Sequence, residues 1–249
     1  MATHAIVVPV SRQRPIYRPI NRTAERIFYT GMSILLCVCV YIGFAPTYFR
    51  AGIVRAPLPS PILHFHGAVF TLWMLLFTLQ AAFISARRVK WHRTFGTVAF
   101  CLPPIMVVLG IIAAVNALQR GVQIGPLAPS VSLAIPLIGI VGFAMVIYAS
   151  WRARRRPDAH KRLILIATMG LVGAAFGRFP WDRIGLPPAA GAMTGVGALL
   201  LILVAFELVT LRRVHRSTMW AAPLVFATIA LAVPIGMSHA WQIFASWLM

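Results

Sequence analysis

Acidic residues are nearly missing from this chain. Four Asp and Glu stand against 23 Lys and Arg, a formal net charge of +19 in 249 residues. Four carboxylates are too few for a two-carboxylate catalytic site plus a Mg²⁺ or Ca²⁺ cage. Charge of either sign is also scarce, at 11% of residues, where a soluble domain has about 25%. With 60% of residues apolar, the chain cannot cover a water-facing surface. That excludes a soluble enzyme, a disordered tail and a free nucleic-acid-binding module. Cysteine is limited to Cys37, Cys39 and Cys101, all inside apolar runs, with no C-x-x-C and no C-x-x-C-H. Neither a thiol redox motif nor covalent haem attachment is indicated. H-E-x-x-H, G-x-S-x-G and a Gly-rich phosphate loop are absent too, which leaves imidazole as the metal-binding chemistry at hand.

What is present is long apolar runs. A helix needs about 20 apolar residues to cross the hydrocarbon core. Seven segments qualify: 27–47, 62–86, 94–118, 131–151, 161–179, 190–211 and 219–246. The expected fold is all-α, a polytopic membrane helix bundle of about seven transmembrane helices. The last is expected to break near Pro234 and Gly236 and to finish along the interface. Residues 1–26 read as a basic tail with no removable signal peptide, and 27–249 as a single transmembrane domain.

Basic residues orient the bundle. The tail and the 2–3, 4–5 and 6–7 loops hold 18 of the 23 Lys and Arg, and the other three loops hold five. The expected topology has the N-terminus in the cytoplasm and the C-terminus outside, in the cell inner (plasma) membrane. Arginines in short loops between spans face anionic headgroups, so the net charge needs no nucleic acid to explain it. Each cytoplasmic loop also holds a His among basic residues: His92 in 87–93, His160 in 154–162 and His215 in 212–216. Duplicated hairpins and Arg-rich loops that happen to hold a His both account for this.

Ionisable groups in or beside spans are the default functional candidates. An outer layer holds His64, His66, Arg178, Asp182 and His239, and an inner layer holds His92, His160, Glu207 and His215. Ser60-Pro61 is a helix start signal. His64 and His66 then point about 200° apart on one helix. His66 continues into a bulky face with Phe70, Trp73, Phe77 and Gln80, and His64 into a small-residue face with Gly67 and Ala68. His64 is therefore expected to face inward, the alternative being interfacial histidines. His92 has Gly96 one turn along, which leaves room for a porphyrin edge or for ordinary close packing. His160 and Arg178 are five turns apart on one face, roughly 27 Å along the axis. Arg178 could pair with Asp182 at i,i+4 or hold an anion such as a propionate, a quinone oxygen or a lipid phosphate. Glu207, the only acid inside a span, is expected either to pair with Arg212-Arg213 or to handle protons beside His92 or His160.

These residues resemble a family of uncharacterised bacterial multi-pass membrane proteins. The matching pieces are His64-Phe65-His66-Gly67 with Trp73 and Gln80, His92-Arg93-Thr94-Phe95-Gly96, and Asp158-Ala159-His160-Lys161-Arg162-Leu163 leading to Arg178. They correspond to H-x-H-G, H-R-x-x-G and D-x-H-K-R-L, and the likeness covers roughly residues 27–215. It implies architecture and singles out residues without supplying an activity. A weaker likeness is to b-type cytochromes of the b561 kind, from which the chain departs because no span carries a His at each end.

Three functions compete. The first is electron transfer with non-covalent haem b. His92 and His160 would be its inner axial pair and metal ligands, His64 or His66 with His239 the outer pair, and Arg178 the propionate holder. Its partner would be a quinone or a membrane redox protein. The second is a small-solute transporter lined by His, Arg178 and Glu207. The third is a non-catalytic membrane subunit or sensor, and what remains beside these three is a membrane enzyme using a His-bound metal on a lipid.

Overall fold

A computed structural model describes residues 21–50 and 60–249. Most of the basic tail, and Arg55 of the first loop, lie outside the described residues. The described chain is helical, without strands. Its helices are α1 (Arg22–Phe44), α2 (Pro61–Ser85), α3 (Val89–Ala99), α4 (Leu102–Gln119), α5 (Pro129–Arg152), α6 (Pro157–Phe176), α7 (Pro188–Leu211), α8 (Arg216–Ala230), α9 (Ala232–Met237) and α10 (His239–Ser246). A π-helical turn, Ala45–Phe49, extends α1, and a 3-10 turn, Trp181–Ile184, precedes α7.

Six helical segments are long and apolar enough to cross a membrane, with α3 and α4 counted as one. The architecture fits a multi-pass membrane protein. Starts follow local chemistry. Proline stands at the first helical position of α2, α5, α6 and α7, where its missing N–H is no loss. Ser60 does precede α2, but its hydroxyl makes no cap bond.

Prolines also set the breaks. A proline ring clashes with the carbonyl four residues back. Pro103 and Pro104 place that clash at Ala99 and Phe100, where α3 gives way to α4. Pro234 places it at Ala230, the last residue of α8. The seventh segment is therefore three short helices, not one long one. Together α8 and α9 run antiparallel along α5. Gly142 faces Thr228, and Gly236 meets Val131 and Ala134 near the start of α5.

Helices α5 and α6 are the most buried of the six segments. Around α6 lie α1, α5, α7 and α8. Its inward row, Leu165, Ile166, Met169 and Val172, is fully buried. The core adds Trp73 of α2, Met106 of α4, Phe143 of α5 and Leu203 of α7. Close approach is made by small residues: a methyl on Gly43 of α1 would collide with the Ala175 backbone of α6.

Candidate functional site

The inward row of α6 begins with a charge. Arg162 is 1% exposed, and Glu207 of α7 is 0% exposed. Arg162 Nε donates to Glu207 Oε1 at 2.5 Å. Thr218 Oγ1 donates to the same oxygen at 2.7 Å, and the His215 main-chain N–H donates to Oε2 at 2.8 Å. Arg162 Nη1 also donates to the Asp158 carbonyl at 2.6 Å. Beside it, Lys161 Nζ reaches Glu25 of α1 at 2.7 Å and Asp158 at 2.8 Å. Three of the four carboxylates of the chain thus meet at one end of the bundle, joining α1, α6, α7 and α8. An isolated charge in hydrocarbon is costly, and each buried member here has a partner of opposite sign.

This corrects the expected pairing of Glu207 with Arg212 and Arg213: its partner is Arg162. Nor does Glu207 serve His92 or His160. Its oxygens accept from Arg162, Thr218 and the His215 main chain. The sequence places Arg162 in the D-x-H-K-R-L segment and among the loop arginines, without naming a partner for it. The available signal was an Arg in register with the apolar row Leu165, Ile166, Met169 and Val172.

At the same end, two of the three hairpin histidines tie their helix to the preceding one through the imidazole. His160 Nδ1 lies 3.0 Å from both the hydroxyl and the carbonyl oxygen of Ser150 on α5. His92 Nδ1 lies 3.3 Å from the Gln80 carbonyl on α2. The Gln80 side chain inserts at the same turn. With its amide nitrogen facing His92, it donates to the His92 carbonyl at 2.9 Å and to Nδ1 at 2.7 Å, and its oxygen accepts from Gly96 N–H at 3.2 Å. A Cβ at Gly96 would lie 3.2 Å from that amide. The H-R-x-x-G segment is thus the seat of Gln80. His215 caps α8, its Nδ1 accepting from Ser217 N–H at 3.1 Å. Burial, and then the Arg162 charge, hold its imidazole below the ordinary histidine pKa.

Haem b is the group expected at this end. Axial histidines ligate through Nε2 while a carbonyl holds Nδ1–H; the Nδ1 contact of His160 suits that, whereas Nδ1 of His92 accepts from the Gln80 amide, which leaves its proton on Nε2. The surroundings do not suit a haem. Gln80 fills the space beside Gly96. Phe100 lies 5.9 Å from the His160 ring, 5.0 Å from Trp151 and 6.5 Å from Trp73, centroid to centroid. As packed, this end does not fit a porphyrin. Among the described residues no three His, Cys, Asp or Glu side chains converge, and His92 and His160 stand as a pair.

The outer residues are dispersed. The buried face of α2 is Trp73, Phe77 and Gln80, the face of His66. His64 is exposed beside Tyr48, whose ring centroid is 5.8 Å away. The expected inward turn of His64 is therefore reversed: the bulky residues enter the core, and Gly67 packs against Tyr48 of the π turn. His66 stacks on Phe70 at 4.1 Å, and its Nδ1 is buried with no hydrogen-bond partner among the described residues. His239 is exposed on α10, which rests on α5 and α9 through Trp241 Nε1 donating to the Ser130 carbonyl. Among the described residues, α10 packs on α5 and α9 and has no comparable contact with α2. Because α6 stops at Phe176, Arg178 leaves the face of His160, and Asp182 is no longer one turn from it. Arg178 instead donates to the Ala174 carbonyl at 2.6 Å and covers the Phe44 ring at 4.3 Å. Asp182 is exposed in the 3-10 turn.

Comparisons with family models, curated proteins and solved structures found no match.

Proposed function

We propose that the chain is a non-catalytic membrane subunit or sensor whose working surface is its basic end. In this reading it lies in the plasma membrane, the inner membrane of a bacterium. Seven crossings, the last interrupted, place the N-terminus and the basic loops in the cytoplasm and the C-terminus outside. The resemblance to bacterial multi-pass proteins is part of the same proposal. One observation carries it. The ionisable groups packed at the basic end of the bundle are held by neighbouring helices: Glu207 by three donors, Lys161 by two carboxylates, and His160 by Ser150. Groups held in this way lock helices together, whereas a transport path or a proton relay needs groups that can exchange partners. The charge left outside the lock belongs to the loop arginines.

Electron transfer through haem b or to a quinone is the second reading. The carbonyl contact at Nδ1 of His160 favours it, and the packing of Gln80 and Phe100 counts against it.

The deciding experiment is mild detergent extraction after cross-linking in intact membranes, followed by an oxidised and a dithionite-reduced optical spectrum. The subunit reading expects a defined assembly with another polypeptide, kept by His92→Ala and His160→Ala and weakened by Arg154→Gln with Arg155→Gln. A lone chain with a Soret band that vanishes in His92→Ala would overturn it in favour of electron transfer. Reporter fusions after residues 88 and 122 test orientation, with the first expected inside and the second outside.

A further inference from the structure

The starts of α6 and α8 flank an open cleft of about 610 Å³. Arg156, His215, Arg216, Ser217 and Trp220 line it, together with Asp158. Its charge is lopsided for a reason found next door. Glu207 accepts from Arg162, Thr218 and His215. Asp158, the carboxylate in the cleft wall, is bonded to Lys161 at 2.8 Å and lies 3.9 Å from Arg162. Among the described residues, neither Arg156 nor Arg216 has a carboxylate partner. Two exposed guanidiniums thus share one cleft with a hydroxyl and with Trp220, an indole 42% exposed.

We propose that this cleft binds a phosphate ester, the chemistry shared by an anionic phospholipid headgroup and a soluble sugar or glycerol phosphate. Guanidiniums match phosphate oxygens in shape and charge. The volume is far larger than a bare phosphate needs and suits a headgroup with its glycerol. Trp220 has the amphipathic character of side chains at the membrane–water boundary. The cleft lies where apolar helices meet their basic loops, the depth at which headgroups lie. The inference rests on the membrane reading of the bundle and needs no protein partner.

The test uses purified full-length chain in mixed micelles. Retention of phosphatidylglycerol over phosphatidylcholine is measured by native mass spectrometry, and glycerol phosphate binding is measured separately. At about fivefold per arginine near an anionic surface, Arg156→Gln with Arg216→Gln is expected to weaken binding roughly 30-fold. Lys90→Gln with Arg93→Gln removes the same charge from another hairpin at this end and is expected to leave binding within about threefold. Arg216→Lys keeps the charge and is expected to retain most of the binding, which guards against a folding artefact in the double variant. Selective loss of phosphatidylglycerol assigns the site to a lipid headgroup. Selective loss of glycerol phosphate, with no lipid preference in the wild type, assigns it to a soluble ester. Equal losses in the two double variants, or no binding of either probe, would overturn the site. A chain found to lack protein partners would leave it standing.

Discussion

Removing one side of the Arg162–Glu207 pair is the sharpest test of the inner lock. Glu207→Ala takes away the acceptor of three hydrogen bonds. It leaves a guanidinium that is 1% exposed, with only Asp158, 3.9 Å away, as a nearby carboxylate. Breaking a buried ion pair from one side costs about 3–5 kcal/mol. For a chain of this size, about 2–4 °C of melting temperature per kcal/mol makes that a drop of roughly 6–20 °C. Arg162→Ala should fall by a similar amount, because it leaves buried Glu207 without a cation, held only by Thr218 and the His215 N–H. The double variant Arg162→Met with Glu207→Leu should lose less than half of either single loss. It removes both charges and keeps the volume, a replacement that is often neutral. The assay is the fraction of detergent-solubilised protein that stays monodisperse after heating at a fixed rate, since membrane proteins rarely unfold reversibly. Asp182→Ala, at an exposed carboxylate of the 3-10 turn, serves as the control and should not move. Single losses below about 3 °C, or a double variant equal to their sum, would show that the two side chains are uncoupled and would refute the lock.

The same melting assay checks three further expectations. Gly43→Ala should destabilise by about 1–3 kcal/mol, because the new methyl meets main chain at Ala175 and not a movable side chain. Gly31→Ala, with open space around it, should be neutral or slightly stabilising. Gln80→Leu should cost about 1–3 kcal/mol by leaving the turn from His92 to Gly96 without its amide partner, and Gly96→Ala should cost less, because only a side-chain amide has to yield. The His215 cap should make stability depend on pH. Its Nδ1 accepts a hydrogen bond only when neutral, and its pKa lies below the ordinary value in the folded chain. The unfolded chain therefore binds the proton first as pH falls. The stabilisation is complete above about pH 6.5 and is lost as pH falls toward the folded pKa. His215→Asn keeps a capping oxygen and should remove this dependence; an unchanged pH profile in that variant would rule His215 out.

Much of the bundle is legible in the sequence because membrane solvation acts residue by residue. Apolar runs of about 20 residues must be helices, since hydrocarbon offers backbone groups no other partner. Pro61, Pro129, Pro157 and Pro188 mark starts for a local reason, and the clashes at Pro103 and Pro234 are equally local. The seventh segment shows the limit: its break could be anticipated, but its division into three pieces lying along α5 depends on what Gly142 and Gly236 touch.

Partner choice was not legible. Glu207 has Arg212 and Arg213 five and six residues away, and the nearest charges in sequence looked sufficient. The pair is made with Arg162, 45 residues earlier, because the packing of α6 on α7 places both side chains in the same buried layer. The small-residue face of α2 looked inward by composition, yet the bulky face is the buried one, since Trp73 and Phe77 fill a volume that only the neighbouring helices define. Gly96 looked like room for a cofactor and is room for Gln80. Sequence alone settled which stretches are long and apolar enough to be helical and that the last would break near Pro234, because those costs are local; the division of 94–118 at Pro103 and starts up to five residues earlier than expected came with the structure. Tertiary structure alone decided which charge neutralises which and which face is inside, because burial is a property of the neighbours a side chain meets.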